Sequence, residues 1–202
     1  MLIYLTRHGE TIWNRLGKTQ GIQDISLTDV GRIQAKRLGE QLKKNNNIKA
    51  IYCSDLLRAR ETAEIIGKEI SLKPISSPLL REVSFGSWEG LSLQEIEEQY
   101  PGQLARWRNE ITFAPEGGES LTAVRDRIVS FINMIKEKHQ KNSDNILIVS
   151  HAATTKVIIL SLMGIPLNLL IHFKISQASL SLLNVQQDGN SIIYLNDTCH
   201  LE

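Results

Sequence analysis

The chain has 202 residues, a formal net charge of +1, 42% hydrophobic and 22% charged residues; that length buries one sizeable α/β core, and the near-neutral balance gives no electrostatic reason to expect nucleic acid or an anionic membrane as partner. Two cysteines, Cys53 and Cys199, make neither a disulfide framework nor a metal signature. No run approaches the roughly 20 apolar residues of a membrane-spanning helix and no basic-then-apolar leader opens the chain, so the expectation is a single domain over 1–202 in the cytoplasm.

Strand and helix signals alternate from the start. Leu2-Ile3-Tyr4-Leu5 reads as a short buried strand that runs straight into Thr6-Arg7-His8-Gly9. A polar, glycine-containing loop is expected from Asn14 to Asp24. Ser26-Leu27-Thr28-Asp29 then opens a helix with Val30, Ile33, Ala35, Leu38 and Leu42 at helical spacing, ended by Asn45-Asn46-Asn47. Ile48 to Cys53 reads as a second strand. Ser54 is a candidate cap for a helix to about Ile70, with Leu56, Ala59, Ala63, Ile66 and Ile70 on one stripe. Pro74 to Ser76 is a short third strand.

Residues 81–118 are less regular and contain Trp88, Trp107 and several glycines. They read as two short helices, about 92–99 and 102–110, in an insertion covering one end of the sheet. Glu119 to Lys138 is a long amphipathic helix with Leu121, Val124, Ile128, Phe131, Ile132 and Ile135 inward. The run Ile146-Leu147-Ile148-Val149-Ser150 leads straight into His151, as the first strand leads into His8. A helix over about 152–163 follows, stopped by Gly164 and Pro166. Leu180 to Val185 and Ile192 to Leu195 form a hairpin across Gln186-Gln187-Asp188-Gly189-Asn190.

The two strand-to-histidine junctions carry the chemistry. Residues at strand carboxyl ends line the ligand crevice of an open α/β sheet. If the two strands are neighbours, His8 and His151 face one site. Imidazole is a nucleophile when neutral and in the right tautomer, and the Gly9 carbonyl can accept the other ring N–H. Arg7 supplies a guanidinium fork for phosphate oxygens, although Arg-His-Gly alone also reads as a surface turn. Arg58 and Arg60 sit near a helix start, the wrong end of the dipole for a cation; a bound anion would account for at least one of them. The helix after His151 offers free backbone N–H groups, an anion site. Glu82 precedes the aromatic, glycine-rich Phe85-Gly86-Ser87-Trp88-Glu89-Gly90 and is a candidate acid for a leaving alkoxide. His139, His172 and His200 are separate and read as ordinary polar residues, and no cluster has metal-ligand spacing.

Together these residues resemble the histidine phosphatase superfamily, the phosphoglycerate-mutase-like fold. The matching pieces are Leu5-Thr6-Arg7-His8-Gly9-Glu10-Thr11, Asn14, Gln20-Gly21, Asp24, Leu27-Thr28, Gly31, Ser54-Asp55-Leu56, Arg58-Ala59, Thr62-Ala63, Arg81-Glu82, Phe85 to Gly90, Gly117-Gly118-Glu119-Ser120 and Ser150-His151. They cover most of the chain in family order. The resemblance implies a three-layer α/β/α fold with a mostly parallel central sheet. It makes His8 the nucleophile that becomes phosphohistidine, and Arg7, Arg58 and His151 the phosphate pocket. Asn14 would contribute, Gln20 and Gly21 would lie at the rim, Ala152 would touch phosphate, and Glu82 would be the general acid and then the base. No cofactor or metal is implied. The partner would be a small phosphomonoester, and a homodimer is allowed. Two departures stand out: Ala152-Ala153 replaces a frequent pair of glycines, and Lys156 stands near a frequent arginine.

Within the superfamily the chain lacks the length of the cofactor-dependent mutases. Its end, Leu195-Asn196-Asp197-Thr198-Cys199-His200-Leu201, resembles that of bacterial α-ribazole phosphatases, which act late in cobalamin assembly. The reading is a phosphatase acting on α-ribazole 5′-phosphate. The alternatives are a broad-specificity phosphatase, a mutase-like enzyme and a non-catalytic phospho-ligand binder.

Overall fold

The computed structural model describes residues 1–44, 47–139, 144–186 and 188–202. Asn45, Asn46 and Gln187, part of the expected helix stop and hairpin turn, lie outside the described residues. Within them, strands β1 (Leu2–Arg7), β2 (Ile48–Cys53), β3 (Pro74–Ser76), β4 (Asn145–Ser150), β5 (Leu180–Asn184) and β6 (Ser191–Asp197) form one mixed sheet. Their order is β3-β2-β4-β1-β5-β6. β3, β2, β4 and β1 run parallel, and the β5–β6 hairpin adds two antiparallel strands beside β1.

Side chains alternate across the sheet with the period-two rule of a strand. Ile3, Leu5, Ala50, Tyr52, Ile146 and Ile148 enter one core; Ile51, Cys53, Leu147 and Val149 enter the other. Helices α6 (Leu121–His139) and α7 (Ala152–Met163) cover the first face, and α2 (Asp29–Lys44) and α3 (Leu57–Ile70) cover the second, so the expected three layers are present. β4 is buried on both faces, which is why its sequence is an unbroken apolar run rather than an alternating one.

Several local expectations are corrected. The loop after His8 begins with a short helix, α1 (Ile12–Arg15), closed by a reciprocal capping box between Thr11 and Asn14. Val30 and Ile33 are exposed, not inward; the buried stripe of α2 is Gly31, Ala35, Leu38, Gly39 and Leu42. The glycines let α2 come close to its neighbours: a Cβ on Gly31 would strike the Glu10 carbonyl, and one on Gly39 would strike Glu69 of α3. Ser54 does not cap α3, whose N-cap is Leu56; the Ser54 hydroxyl instead accepts from the Leu56 N–H at 3.3 Å. His139 is buried at the end of α6, between the Tyr52 hydroxyl at 2.8 Å and the Asp144 carboxylate at 3.0 Å.

Between β3 and α6 lie helices α4 (Leu93–Gln99) and α5 (Gln103–Asn109), close to the expected spans. Leu167–His172, which carries no clear periodic signal, forms a 3-10 turn after α7. At the hairpin edge, Asn196 has φ 54° and the β5–β6 register shifts twice.

Candidate active site

β1 and β4 are neighbours in parallel register, with Arg7 opposite Ser150. The residues that follow are therefore brought level: the His8 N–H donates to the Ser150 carbonyl at 2.9 Å, and the two imidazole centroids lie 5.2 Å apart. The juxtaposition expected of the two strand ends is thus built by the sheet itself.

His8 is 2% exposed. Its Nδ1 lies 2.7 Å from the Gly9 carbonyl. A carbonyl can only accept, so Nδ1 carries the proton and Nε2 keeps its lone pair. Burial first, then the Arg58 and Arg7 charges, hold the imidazole pKa well below the ordinary value. The ring is a neutral base in one tautomer at physiological pH. Gly9 is needed because a Cβ there would strike the Gly31 carbonyl, and its N–H is fixed by the Thr62 hydroxyl at 3.1 Å.

His151 is fully buried at the N-cap of α7, and neither ring nitrogen has a partner among the described residues. Burial, then Arg58, His8 and Arg7, lower its pKa well below the ordinary value. Arg7 is fixed by one bond, Nη1 to the Ile175 carbonyl at 3.0 Å. Arg58, in the first turn of α3, is fully buried; it donates from Nη1 to the Gln23 carbonyl at 2.6 Å and from Nη2 to the Gly21 carbonyl at 2.7 Å. Burial lowers the Arg58 pKa to about 10, against the opposing pull of Glu82, so the side chain stays charged near neutrality. The Nε groups of Arg7 and Arg58 are both buried without an acceptor among the described residues. Arg60, the other arginine singled out in this helix, is half exposed, with Nε 3.9 Å from Glu64 Oε1.

One expectation about α7 changes. Its first N–H groups do not stand free: Ala153 and Thr154 donate to the Glu82 carboxylate at 3.2 and 3.0 Å, and the Val83 N–H adds a third bond at 3.1 Å. A side-chain carboxylate fills the place that sequence reasoning gives to phosphate, because the positive end of a helix draws any anion within reach. The Thr154 hydroxyl has one proton for two acceptors, the Arg81 carbonyl at 2.8 Å and Glu82 Oε1 at 3.1 Å. When it bonds the nearer carbonyl, its oxygen can accept a proton carried by Glu82.

These groups open on one cleft of about 590 Å³. Arg7, His8, Asn14, Gln20, Gly21, Arg58, Glu82 and Ala152 all line it, together with Ala153 and Lys156; His151 meets His8 just beneath. The Asn14 Oδ1 is held by the Thr11 N–H at 3.1 Å, and Gln20 Oε1 accepts from the Thr11 hydroxyl at 2.9 Å. Burial lowers the Lys156 pKa. Two nearby carboxylates stand outside the cleft lining: Glu10 binds Arg15 and Thr28, and Glu89 accepts from the Ile22 and Phe85 N–H groups. The cleft also has an apolar wall of Phe85, Leu93, Trp107, Leu170 and Ile171, with basic Lys18 and Arg108 among its lining residues. Sequence reasoning missed this wall; Phe85 and Trp107 carry an aromatic signal, whereas Leu170 and Ile171 carry none.

At the ends of the neighbouring parallel strands β1 and β4, Arg7, His8 and His151 meet Arg58 from the start of α3, and two imidazoles and two guanidiniums so placed make a site suited to an oxyanion. The sequence profile of the histidine phosphatase superfamily (branch 1) matches residues 3–198, and the chain belongs to that family. It is 33% identical over 98% of its length to phosphoserine phosphatase 1 of Hydrogenobacter thermophilus, 93% of which is covered. Among solved structures, Bacillus stearothermophilus YhfR superposes with a TM-score of 0.89 at 33% identity, over 100% of this chain and 99% of that one. The α-ribazole phosphatase from Shigella flexneri superposes with a TM-score of 0.85 at 30% identity, over 98% and 96%.

Proposed function

We propose that the chain is a phosphomonoester hydrolase that works through phosphohistidine at His8. The carrying observation is the group of buried nitrogens around His8 that lack acceptors among the described residues: Arg7 Nε, Arg58 Nε and the His151 ring. Unpaired buried donors are costly, about 1–3 kcal/mol each, and a bound phosphoryl group supplies the acceptors. In the first step His8 Nε2 attacks phosphorus, a P–N bond forms and the P–O bond to the leaving group breaks, while Glu82 gives its proton to the departing oxygen. In the second, Glu82 takes a proton from water, the water oxygen attacks phosphorus and the P–N bond breaks, releasing inorganic phosphate and restoring His8. Such transfer needs mainly positioning and charge stabilisation. Two guanidiniums and His151 supply these, so the reaction is proposed to need no metal.

For the leaving group we keep α-ribazole 5′-phosphate as the particular substrate. Its support is the resemblance of the C-terminal segment and the apolar wall of Phe85, Trp107, Leu170 and Ile171, which suits a bulky ring. The basic lining residues Lys18, Arg108 and Lys156 favour a second reading, a phosphorylated acid such as phosphoserine. A screen of both esters, with p-nitrophenyl phosphate as reference, separates them. Trapping of label on His8 tests the chemistry: His8→Ala should trap none and lose activity by thousands-fold or more. Label retained by that variant would remove His8 as the nucleophile.

A further inference from the structure

We propose that Glu89 is a positioning residue, which through the 21–23 segment fixes the Arg58 guanidinium and through Phe85 fixes the leaving-group wall. The inference rests on the phosphoryl-pocket reading of the site. Glu89 Oε1 accepts from the Ile22 N–H at 3.0 Å and from the Phe85 N–H at 3.1 Å, and its Oε2 accepts from Gln23 Nε2 at 2.7 Å. The residues on either side of Ile22 are the two whose carbonyls hold Arg58. Phe85 packs against Trp107 in a tilted pair, with centroids 5.4 Å apart, and both line the cleft. One carboxylate thus ties the cation that would grip phosphate to the surface that would receive the leaving group.

Two further observations support this. Gly21 has φ 51°, and a Cβ on it would land on the Glu89 carboxylate, so this backbone is shaped to admit that side chain. Backbone bonds between Thr19 and both Gly90 and Leu91, each 2.8 Å, already join the two segments, but they stop short of residues 21–23. Without Glu89, the carbonyls of Gly21 and Gln23 would lose their anchor while Arg58 stayed buried behind them.

The test measures competitive inhibition by inorganic phosphate, with p-nitrophenyl phosphate as substrate. Glu89→Ala should raise the phosphate Ki about tenfold, the worth of one misplaced charged hydrogen bond. Glu89→Gln should stay near the parent, because its Oε1 can still accept from Ile22 and Phe85 while the Gln23 amide turns over. Added to Arg58→Ala, Glu89→Ala should change the Ki no further. A Glu89→Ala Ki within twofold of the parent, a Glu89→Gln Ki as high as that of Glu89→Ala, or full additivity with Arg58→Ala would overturn the proposal. If Glu89→Ala does not fold, Glu89→Asp, one methylene shorter, should raise the Ki in the same direction, and a parent-like value would overturn it. A parent enzyme that phosphate does not inhibit would instead bring down the pocket reading, and this proposal with it.

Discussion

Two buried neutral imidazoles make the fold sensitive to mild acid. His8 and His151 are 2% and 0% exposed, and burial beside Arg58 and Arg7 sets both pKa values well below the ordinary 6.5. In the unfolded chain each ring regains that ordinary value, so below it the unfolded state binds more protons and stability falls with pH. The contribution is whole above about pH 6.5 and is lost as pH falls through it. Each ring that binds one more proton in the unfolded chain makes stability fall by up to about 1.36 kcal/mol per pH unit. Two rings set that limit at about 2.7 kcal/mol per pH unit, a steep slope beside the 5–15 kcal/mol that holds a typical domain together. Urea unfolding at several pH values, in buffer free of phosphate, measures the slope. These rings should steepen it toward that limit as pH falls below 6.5. His8→Asn keeps a donor for the Gly9 carbonyl and should remove about half. An unchanged slope in that variant would refute the assignment of the acid sensitivity to these rings.

Three other outcomes are expected. Glu82→Gln should slow His8 phosphorylation by a ribose 5′-phosphate about a hundredfold or more, while p-nitrophenyl phosphate, whose leaving group needs no proton, is much less affected; single-turnover labelling reads this, and equal losses would take Glu82 out of the acid role. Turnover should survive exhaustive chelation, since Arg7, Arg58 and His151 supply the positive charge; a strict need for added Mg²⁺ or Zn²⁺ would count against the mechanism. Gly9→Ala pushes a methyl into the Gly31 carbonyl and displaces the acceptor that sets the His8 tautomer. It should cost about 1–3 kcal/mol and most of the activity, read by thermal melts and kcat/KM, and a parent-like variant would contradict the close approach.

The sheet and the meeting of His8 with His151 are legible because their signals are local. A two-sided apolar run such as Ile146 to Val149 can hardly be anything but a central strand or a buried helix turn, and its length decides. What stayed hidden depends on partners far along the chain. The charge of Arg58 is buried at the expense of carbonyls at 21 and 23, and the start of α7 is occupied by a carboxylate from residue 82. No periodicity records either contact. The α2 stripe was misread for another reason. Hydropathy favours Val30 and Ile33, but close packing at Gly31 and Gly39 turns the helix so that its smallest residues face inward. Helix α1 was missed because its capping box uses asparagine rather than the more familiar acid or glutamine.

The two borders of the sheet bear on how copies of the chain could meet. β3 offers three residues that begin with Pro74, which has no N–H to share, and β6 is kinked where Asn196 takes a left-handed turn. β3 is too short to present a long row of unpaired groups to a foreign strand, and the bend at Asn196 interrupts the row along β6 near its end. The β3 border is thereby guarded against strand addition and the fibrous aggregation that follows from it, and the bend in β6 shortens the other. Self-association through side-chain faces would leave the sheet to end with each molecule.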